Sequence, residues 1–239
     1  MNEKKAFIYN GISSAEYGVL INGAKRYKTA ERDFENVSVP GMNGDLTFDN
    51  GRFKNVTIEY TNCGIVRNFE DSFREFVDGI LSGSMTGYKR LEDTYNSDEF
   101  RLAKLMGEVD PEMFISRKAG SFNLSFDCKP QRFLKSGENP VTLTSSGSIT
   151  NPTHFKATPL IRVYGTGRLT IGAKTLEVSQ NATYTDIDCD LMNCYCDDVN
   201  LNRYVSVTGN DFPVLEPGAN IIQLTGISKI IITPRWWRI

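Results

Sequence analysis

The sequence predicts a mainly β protein in two parts. The first reads as short strands in hairpins with one α-helix; the second reads as an all-β sandwich or barrel of about one hundred residues. Three observations predict this. Short apolar runs alternate at period two and stop at Asn-Gly, Pro-Gly or other turn residues along most of the chain. One segment alone switches to the helical period. Between Lys135 and Pro159 the composition shifts to Ser, Thr, Gly, Pro and Asn, which places the domain boundary between residues 1–138 and 139–239.

The first elements read as hairpins. "AFIYNG" is strand-like and ends at Asn10-Gly11. "VSVPGMNGDLTF" carries Val37 and Val39, then Leu46 and Phe48, on either side of Pro-Gly and Asn-Gly. "NVTIEYTNC" alternates through Val56, Ile58 and Tyr60. The helical segment is "RNFEDSFREFVDGILSG". Phe69, Phe73, Phe76, Val77, Ile80 and Leu81 line one helix face, and Phe73 and Phe76 are expected in the core. Asn68 suits the N-cap, Glu70 and Asp71 suit the positive end, and Gly83 suits the stop. "GYKRLEDTYNSDEFRLAKL" reads as hairpin and loop. "SRKAGSFNLSFDCKPQRFL" alternates again, with Phe122, Leu124, Phe126 and Cys128 on one face. After the boundary, "PLIRVYG", "GRLTIG", "KTLEVS", "YTDIDCDL", "NRYVSV", "NIIQLTG" and "SKIIITPRWW" read as short strands with regular turns and no helix.

Bulk composition narrows the function. Hydrophobic residues make up 40% of the 239 and charged residues 23%, enough for a packed core. The formal net charge of −2 gives no electrostatic support for sequence-specific or coating contact with nucleic acid. No apolar run approaches the ~18 residues of a membrane span. The N-terminus "MNEKKAFIYNGISS" has no apolar core of a signal peptide, so the chain is expected to be made and folded in a cytoplasm. In that reducing setting Cys63, Cys128, Cys189, Cys194 and Cys196 read as free thiols.

Several residue groups have types and spacings that bear on chemistry. Gly41, Gly44 and Gly51, with Asp45 and Asp49, sit in "VPGMNGDLTFDNG". Gly44 leads into a strand rather than a helix, so the stretch lacks a dinucleotide fingerprint. Asp45, Thr47 and Asp49 have calcium-loop spacing, but Asn50 stands where the loop needs glycine. Turn chemistry is the expected use. Asp186, Asp188 and Asp190 share one strand face, about 6.5–7 Å apart in turn, too spread for one calcium ion. They are expected to form a solvated polar face. Cys189, Cys194 and Cys196 lack the paired spacing of zinc ligands, and His154 stands 35 residues upstream of the first. No G-x-S-x-G elbow occurs, and the one histidine lies in the Pro-flanked "NPTHFKATP". No catalytic, cofactor-binding or metal-binding residue is assigned, and no cofactor or enzyme activity is expected. Trp236 and Trp237 should face opposite sides of a last strand. One belongs to the core; the other is open to a subunit contact or to stacking on a sugar.

Taken in order, these stretches resemble the distal tail proteins of long-tailed, non-contractile phages, the family often called Dit. The likeness is carried by "FIYNGISSAEYGVLINGA", "VPGMNGDLTFDNGRFKNVTIEY", "YKRLEDTYNSDEFRLAKL", "FNLSFDCKPQRFLKSGE", "NPTHFKATPLIRVYGTGRLTIG", "FPVLEPGANIIQLTG" and "ITPRWW". It runs over nearly the whole chain. Met42 departs from the charged residue common at that loop position in the family. The resemblance implies a mainly β fold: a ring-forming N-terminal β-sandwich with one α-helix and an extended hairpin, then a C-terminal galectin-like all-β sandwich. It implies a homohexameric hub in the virion tail tip, assembled in the host cytoplasm, with a central hole through which DNA passes. The implied partners are the tail tube protein, the tape measure protein, a tail-associated lysin or fibre protein, and receptor-binding or baseplate proteins. The chain is too short for a large inserted module, so the resemblance implies the purely structural form. The alternative is a carbohydrate-binding sandwich using aromatics such as Trp236, Trp237, Tyr195 or Tyr204.

Overall fold

A computed structural model describes residues 5–22, 28–66, 68–84, 86–114, 118–179, 183–209 and 211–239, and of residues 81–84 the backbone only. The chain divides into two compact units, one running to Arg132 with Ile239 added, the other spanning Phe133–Arg238.

The first unit begins with β1 (Phe7–Tyr9), β2 (Ile12–Ser13) and β3 (Val19–Ile21). Next come β4 (Arg32–Ser38), β5 (Asp45–Phe53) and β6 (Val56–Ile65), then helix α1 (Phe69–Ser84). The unit closes with β7 (Lys89–Asp93), β8 (Glu99–Met106), β9 (Pro111–Met113) and β10 (Gly120–Cys128). Its main sheet is antiparallel in the order β2-β1-β7-β8-β10-β6-β3, and β9 pairs with β10. Asn10 and Gly11 both have positive φ, as the tight β1–β2 turn requires. Phe122, Leu124, Phe126 and Cys128 are buried on alternate positions of β10, as the period-two pattern demands. The β10–β6 register shifts between Phe122 and Leu124. There Asn62 takes a positive φ and its N–H donates to the Asn123 Oδ1 at 3.0 Å.

The helix falls where its periodicity puts it. Phe69, Phe76 and Ile80 are buried, and Phe73 and Val77 are partly buried against the same core. The side chain of Leu81 lies outside the described residues. Asn68 precedes α1 in left-handed backbone, and its carbonyl accepts from the Ser72 N–H at 3.0 Å. The helix includes Gly83, expected as its stop, and ends one residue later. The "GYKRLEDTYNSDEFRLAKL" stretch forms the β7–β8 hairpin.

The second unit starts in β11 (Arg132–Leu134). It continues through β12 (Val141–Leu143), β13 (Gly147–Asn151), β14 (Leu160–Tyr164), β15 (Gly167–Ile171) and β16 (Lys174–Val178). Then come β17 (Thr185–Asp188), β18 (Asn193–Cys196), β19 (Val199–Asn200), β20 (Val205–Val207), β21 (Gly218–Thr225), β22 (Lys229–Thr233) and β23 (Trp237–Arg238). Two antiparallel sheets enclose one core: β12-β22-β14-β17-β18-β19 and β13-β21-β15-β16-β20. Ile161, Val163, Ile187, Ile230 and Ile232 fill it from the first sheet, Leu169, Leu176 and Ile222 from the second. Among the described residues this unit has no α-helix, only short 3-10 turns.

Two readings of the sequence change here. The Ser/Thr-rich stretch contains β12 and β13, edge strands of the two sheets. Edge strands tolerate polar, turn-like composition because only one side is paired. The segment from Phe133 to Glu138 groups with the second unit. The Leu134 N–H donates to Trp236 O (2.9 Å) and the Arg235 N–H to Gly137 O (2.8 Å). The division therefore precedes the composition shift.

Candidate assembly interface

Strands β4 and β5 pair only with each other among the described strands. They form a long ribbon, and an isolated two-stranded ribbon is at best marginally stable in water. Its two faces differ sharply, and one of them supplies bonds of its own.

Polar groups lace one face. Ser38 Oγ donates to Asp45 Oδ1 (2.7 Å), and Thr47 Oγ1 donates to Asn36 Oδ1 (2.8 Å). At the base the Arg32 guanidinium forks onto Asp49, with Nε to Oδ1 at 2.9 Å and NH2 to Oδ2 at 2.8 Å. That fork, with the Gly51 N–H, holds the Asp49 carboxyl below the usual carboxylate range. Arg52 Nε reaches Asp33 Oδ2 at 2.7 Å beside it. The register shifts between Arg32 and Phe34, which leaves extra residues on β5 around Gly51. Gly51 takes φ of 72° there, so it serves a bulge. Gly41 and Gly44 take φ of 84° and 82° at the tip, where the Met42 N–H donates to Val39 O. Asp45 and Asp49, weighed as metal ligands, are thus parts of the hairpin's own bonding.

The other face is apolar. Val37 pairs with Leu46 and Glu35 with Phe48, so Val37, Leu46 and Phe48 share one side and Val39 continues it. Val37, Val39, Leu46 and Phe48 are 40–51% exposed, and Met42 at the tip is 54% exposed. Phe34, on the polar face, is also exposed. A run of exposed apolar side chains along one face of a hydrogen-bonded ribbon is the kind of surface that interaction partners use. The alternation of these residues was legible; their exposure was not. The clasps from Arg32 and Arg52 also went unread, since each carboxylate partner lies on the opposite strand.

The other weighed groups sit apart from this hairpin. Asp186 and Asp188 are not solvated. Their side chains are 6% and 5% exposed, each gripped by an arginine. Arg162 Nε and NH2 donate to Asp186 at 2.7 Å each, and Arg235 NH1 and NH2 donate to Asp188 at 2.8 and 2.9 Å. Strand pairing sets Arg162 directly opposite Asp186, and buried carboxylates persist when paired in this way. Burial pushes the Asp188 carboxyl up, but its bonds from Arg235, Leu191 N–H and Asp190 N–H outweigh that push and hold it below the usual range. Asp190 is exposed and accepts from Thr158 Oγ1.

Cys63, Cys128, Cys189, Cys194 and Cys196 are buried free thiols. Burial pushes the Cys63, Cys128 and Cys194 thiols up to about 12 and also raises Cys189. His154 is exposed in a bend. Among the described residues no group of three or more His, Cys, Asp or Glu is placed to hold a metal. Trp236 is buried in the core of the second unit. Trp237 stacks on Phe155 (4.5 Å between centroids) and donates its indole N–H to Lys156 O. Tyr204 lies under the Arg203 guanidinium, and Tyr195 is half-buried opposite Asp186. These four aromatics do not converge on one platform. The outer face of the second sheet does hold a polar groove of about 560 Å³, lined by Arg168, Thr170, Thr175, Glu177, Gln223 and Thr225 among others.

No protein-family model matches the chain, and no curated protein matches it. Solved structures do. The chain is similar to the Dit protein of phage SPP1, described as a paradigm of the hub adsorption apparatus in phages infecting Gram-positive bacteria. The TM-score is 0.73 at 13% identity, covering 95% of this chain and 97% of that one. It is also similar to a chain of the phage P2 baseplate in its activated conformation with Ca, at TM-score 0.53 and 12% identity, covering 96% of this chain and 97% of that one. The shared fold is therefore that of these chains over nearly its full length.

Proposed function

We propose that the chain is a structural subunit of a phage tail hub, a distal tail protein that closes head to tail into a ring of six. The observation that carries the proposal is the exposed apolar strip of the β4–β5 hairpin, on a fold shared from end to end with the SPP1 hub protein. A heterologous contact, strip onto a different patch of the next copy, generates a closed ring when the rotation closes. Covering the exposed half of side chains such as Val37, Leu46 and Phe48 contributes on the order of 1 kcal/mol each, repeated at every contact. The ring occupies the virion tail tip between the tail tube and the fibre, lysin or baseplate proteins, and its hole passes DNA. Its work is geometric, and no catalytic step is assigned to it.

The two units divide the labour: the first makes the ring and the second faces outward partners. The test is oligomeric state by light scattering and negative-stain imaging of the full chain, of Leu46→Asp/Phe48→Asp, and of a fragment ending at Arg132. The full chain and the fragment should form rings, alone or on meeting tail partners; the double variant should stay monomeric with an unchanged circular dichroism spectrum. A chain that remains monomeric inside assembled tails, or a double variant that still closes rings, would overturn the proposal. A second reading, contact with a glycan, has its best surface in the polar groove around Arg168 and Gln223, since hydroxyl, amide and charged groups converge there from adjacent strands. Binding on a glycan array that Arg168→Ala/Gln223→Ala abolishes would establish it.

A further inference from the structure

The hairpin and the second unit leave one charged feature unused, at the end of the core in the first unit. Strand β8 puts Glu99, Arg101 and Ala103 on one face, and Arg101 pairs across from buried Leu91. Alternation would ask for an apolar residue at 101. A guanidinium stands there instead, lining a cleft of about 60 Å³ with Lys28, Tyr60, Asp93, Glu99 and Arg132. That volume holds a few waters or one small anion.

Asp93 and one oxygen of Glu99 already hold partners. Glu99 Oε2 accepts from Arg132 Nε at 2.7 Å. Asp93 accepts from the Tyr60 hydroxyl (2.9 Å) on one oxygen and from the Tyr95 and Asn96 N–H groups (3.0 and 2.9 Å) on the other. Lys28 Nζ lies 3.5 Å from Glu59. Among the described residues, Arg101 makes one hydrogen bond, a long one of 3.4 Å from NH1 to Pro130 O. A guanidinium carries five N–H donors in a planar fork. Arg101 is half-buried, and burial pulls its pKa down against the opposing pull of Cys128, Tyr60 and Asp93. A charge in such a place is normally matched by a counter-charge.

We propose that this cleft is a binding site for a single carboxylate, taken on the free edge of the Arg101 guanidinium. The planar fork selects a planar oxyanion that can accept two parallel bonds. The carboxylate comes either from a small free acid or from an acidic side chain of another protein chain. The two sources are separated by experiment.

The probe is sodium acetate, titrated against sodium chloride at matched ionic strength, on the full chain labelled with nitrogen-15. The readouts are the side-chain Nε–H signal of Arg101, assigned by its loss in Arg101→Lys, and the backbone amide of Asn96. One charge-assisted forked contact predicts saturation with Kd on the order of 10–100 mM. Arg101→Lys keeps the charge without the fork and should abolish the saturable shift of Asn96; Arg101→Gln serves as a second variant should the first fail to fold. A saturable acetate shift identifies a free acid as sufficient. A shift that appears only in the assembled ring, and not with acetate, identifies a carboxylate of another chain. No saturable shift in either setting, the same shift with chloride, or an undiminished response in both variants would overturn the site.

Discussion

Removal of the Phe76 ring is the sharpest test of the first unit's core. Phe76 is 0% exposed. It meets Phe7 edge-on at 6.2 Å, Tyr17 edge-on at 6.0 Å, and Phe122 at a tilt at 5.4 Å. Those neighbours are themselves fixed: Phe7 stacks on Tyr60 at 5.2 Å, and Phe122 meets Phe73 edge-on at 5.1 Å. The cavity left by Phe76→Ala therefore cannot close by a small rearrangement. The cost should lie near the upper part of the usual range for such truncations, about 4–5 kcal/mol. Phe73 is only partly buried, so Phe73→Ala should cost roughly half as much, about 2 kcal/mol. The assay needs a probe that sees the first unit. Both tryptophans belong to the second unit, and α1 is the single α-helix among the described residues. Ellipticity at ~222 nm follows the helix, while tryptophan fluorescence follows the other unit. With urea m-values of about 1–3 kcal/mol/M, the helix-detected midpoint of Phe76→Ala should fall by at least ~1 M. A loss below ~1 kcal/mol, or a larger loss for Phe73→Ala than for Phe76→Ala, would refute the packing described for this helix.

Three further outcomes follow from the second unit and the thiols. The folded-state pKa of Asp188 is depressed, so its contribution to stability is complete above the unfolded value of about 3.9 and is lost as pH falls through that value and on through the lower folded one. Urea midpoints followed by tryptophan fluorescence should thus drop on acidification below about pH 4; Asp188→Asn should lower stability at neutral pH and flatten that acid limb, and an unchanged limb would remove Asp188 from it. The buried cysteines should resist a thiol reagent at about pH 8 in the native protein, where protonated thiols are poor nucleophiles, and all five should react on unfolding. A chelator should leave the fold intact; stoichiometric zinc in the purified protein would contradict both expectations.

Much of the fold was legible because local periodicity and global packing agree. Phe69, Phe76 and Ile80 repeat at the helical spacing and all three point into the core. Phe122, Leu124, Phe126 and Cys128 repeat at period two and all four are buried. Legibility fails where a residue's partner is distant in sequence. Asp186 and Asp188 look like a solvated face because their arginines stand 24 and 47 residues away. Strands β12 and β13 look like a linker because an edge strand is stabilised by its neighbour, β22 or β21, and not by its own composition.

The candidate interface shows a deeper limit. Val37, Val39, Leu46 and Phe48 carry the same alternating pattern as the buried strand β10. Period two states only that one face is apolar; it does not state what covers that face. On β10 the cover is supplied within the unit, by α1 and by aromatics such as Phe7 and Tyr60. On the hairpin no described element of the chain supplies it, and the strip stays exposed. The polar face of the same hairpin is closed by its own hydrogen bonds, so the ribbon holds its shape before any partner arrives. A preformed arm loses less conformational entropy on docking than a disordered one. In the proposed ring, the sequence encodes an interface as a core strand whose other half belongs to a different molecule. Only the three-dimensional placement of these side chains separates the two cases.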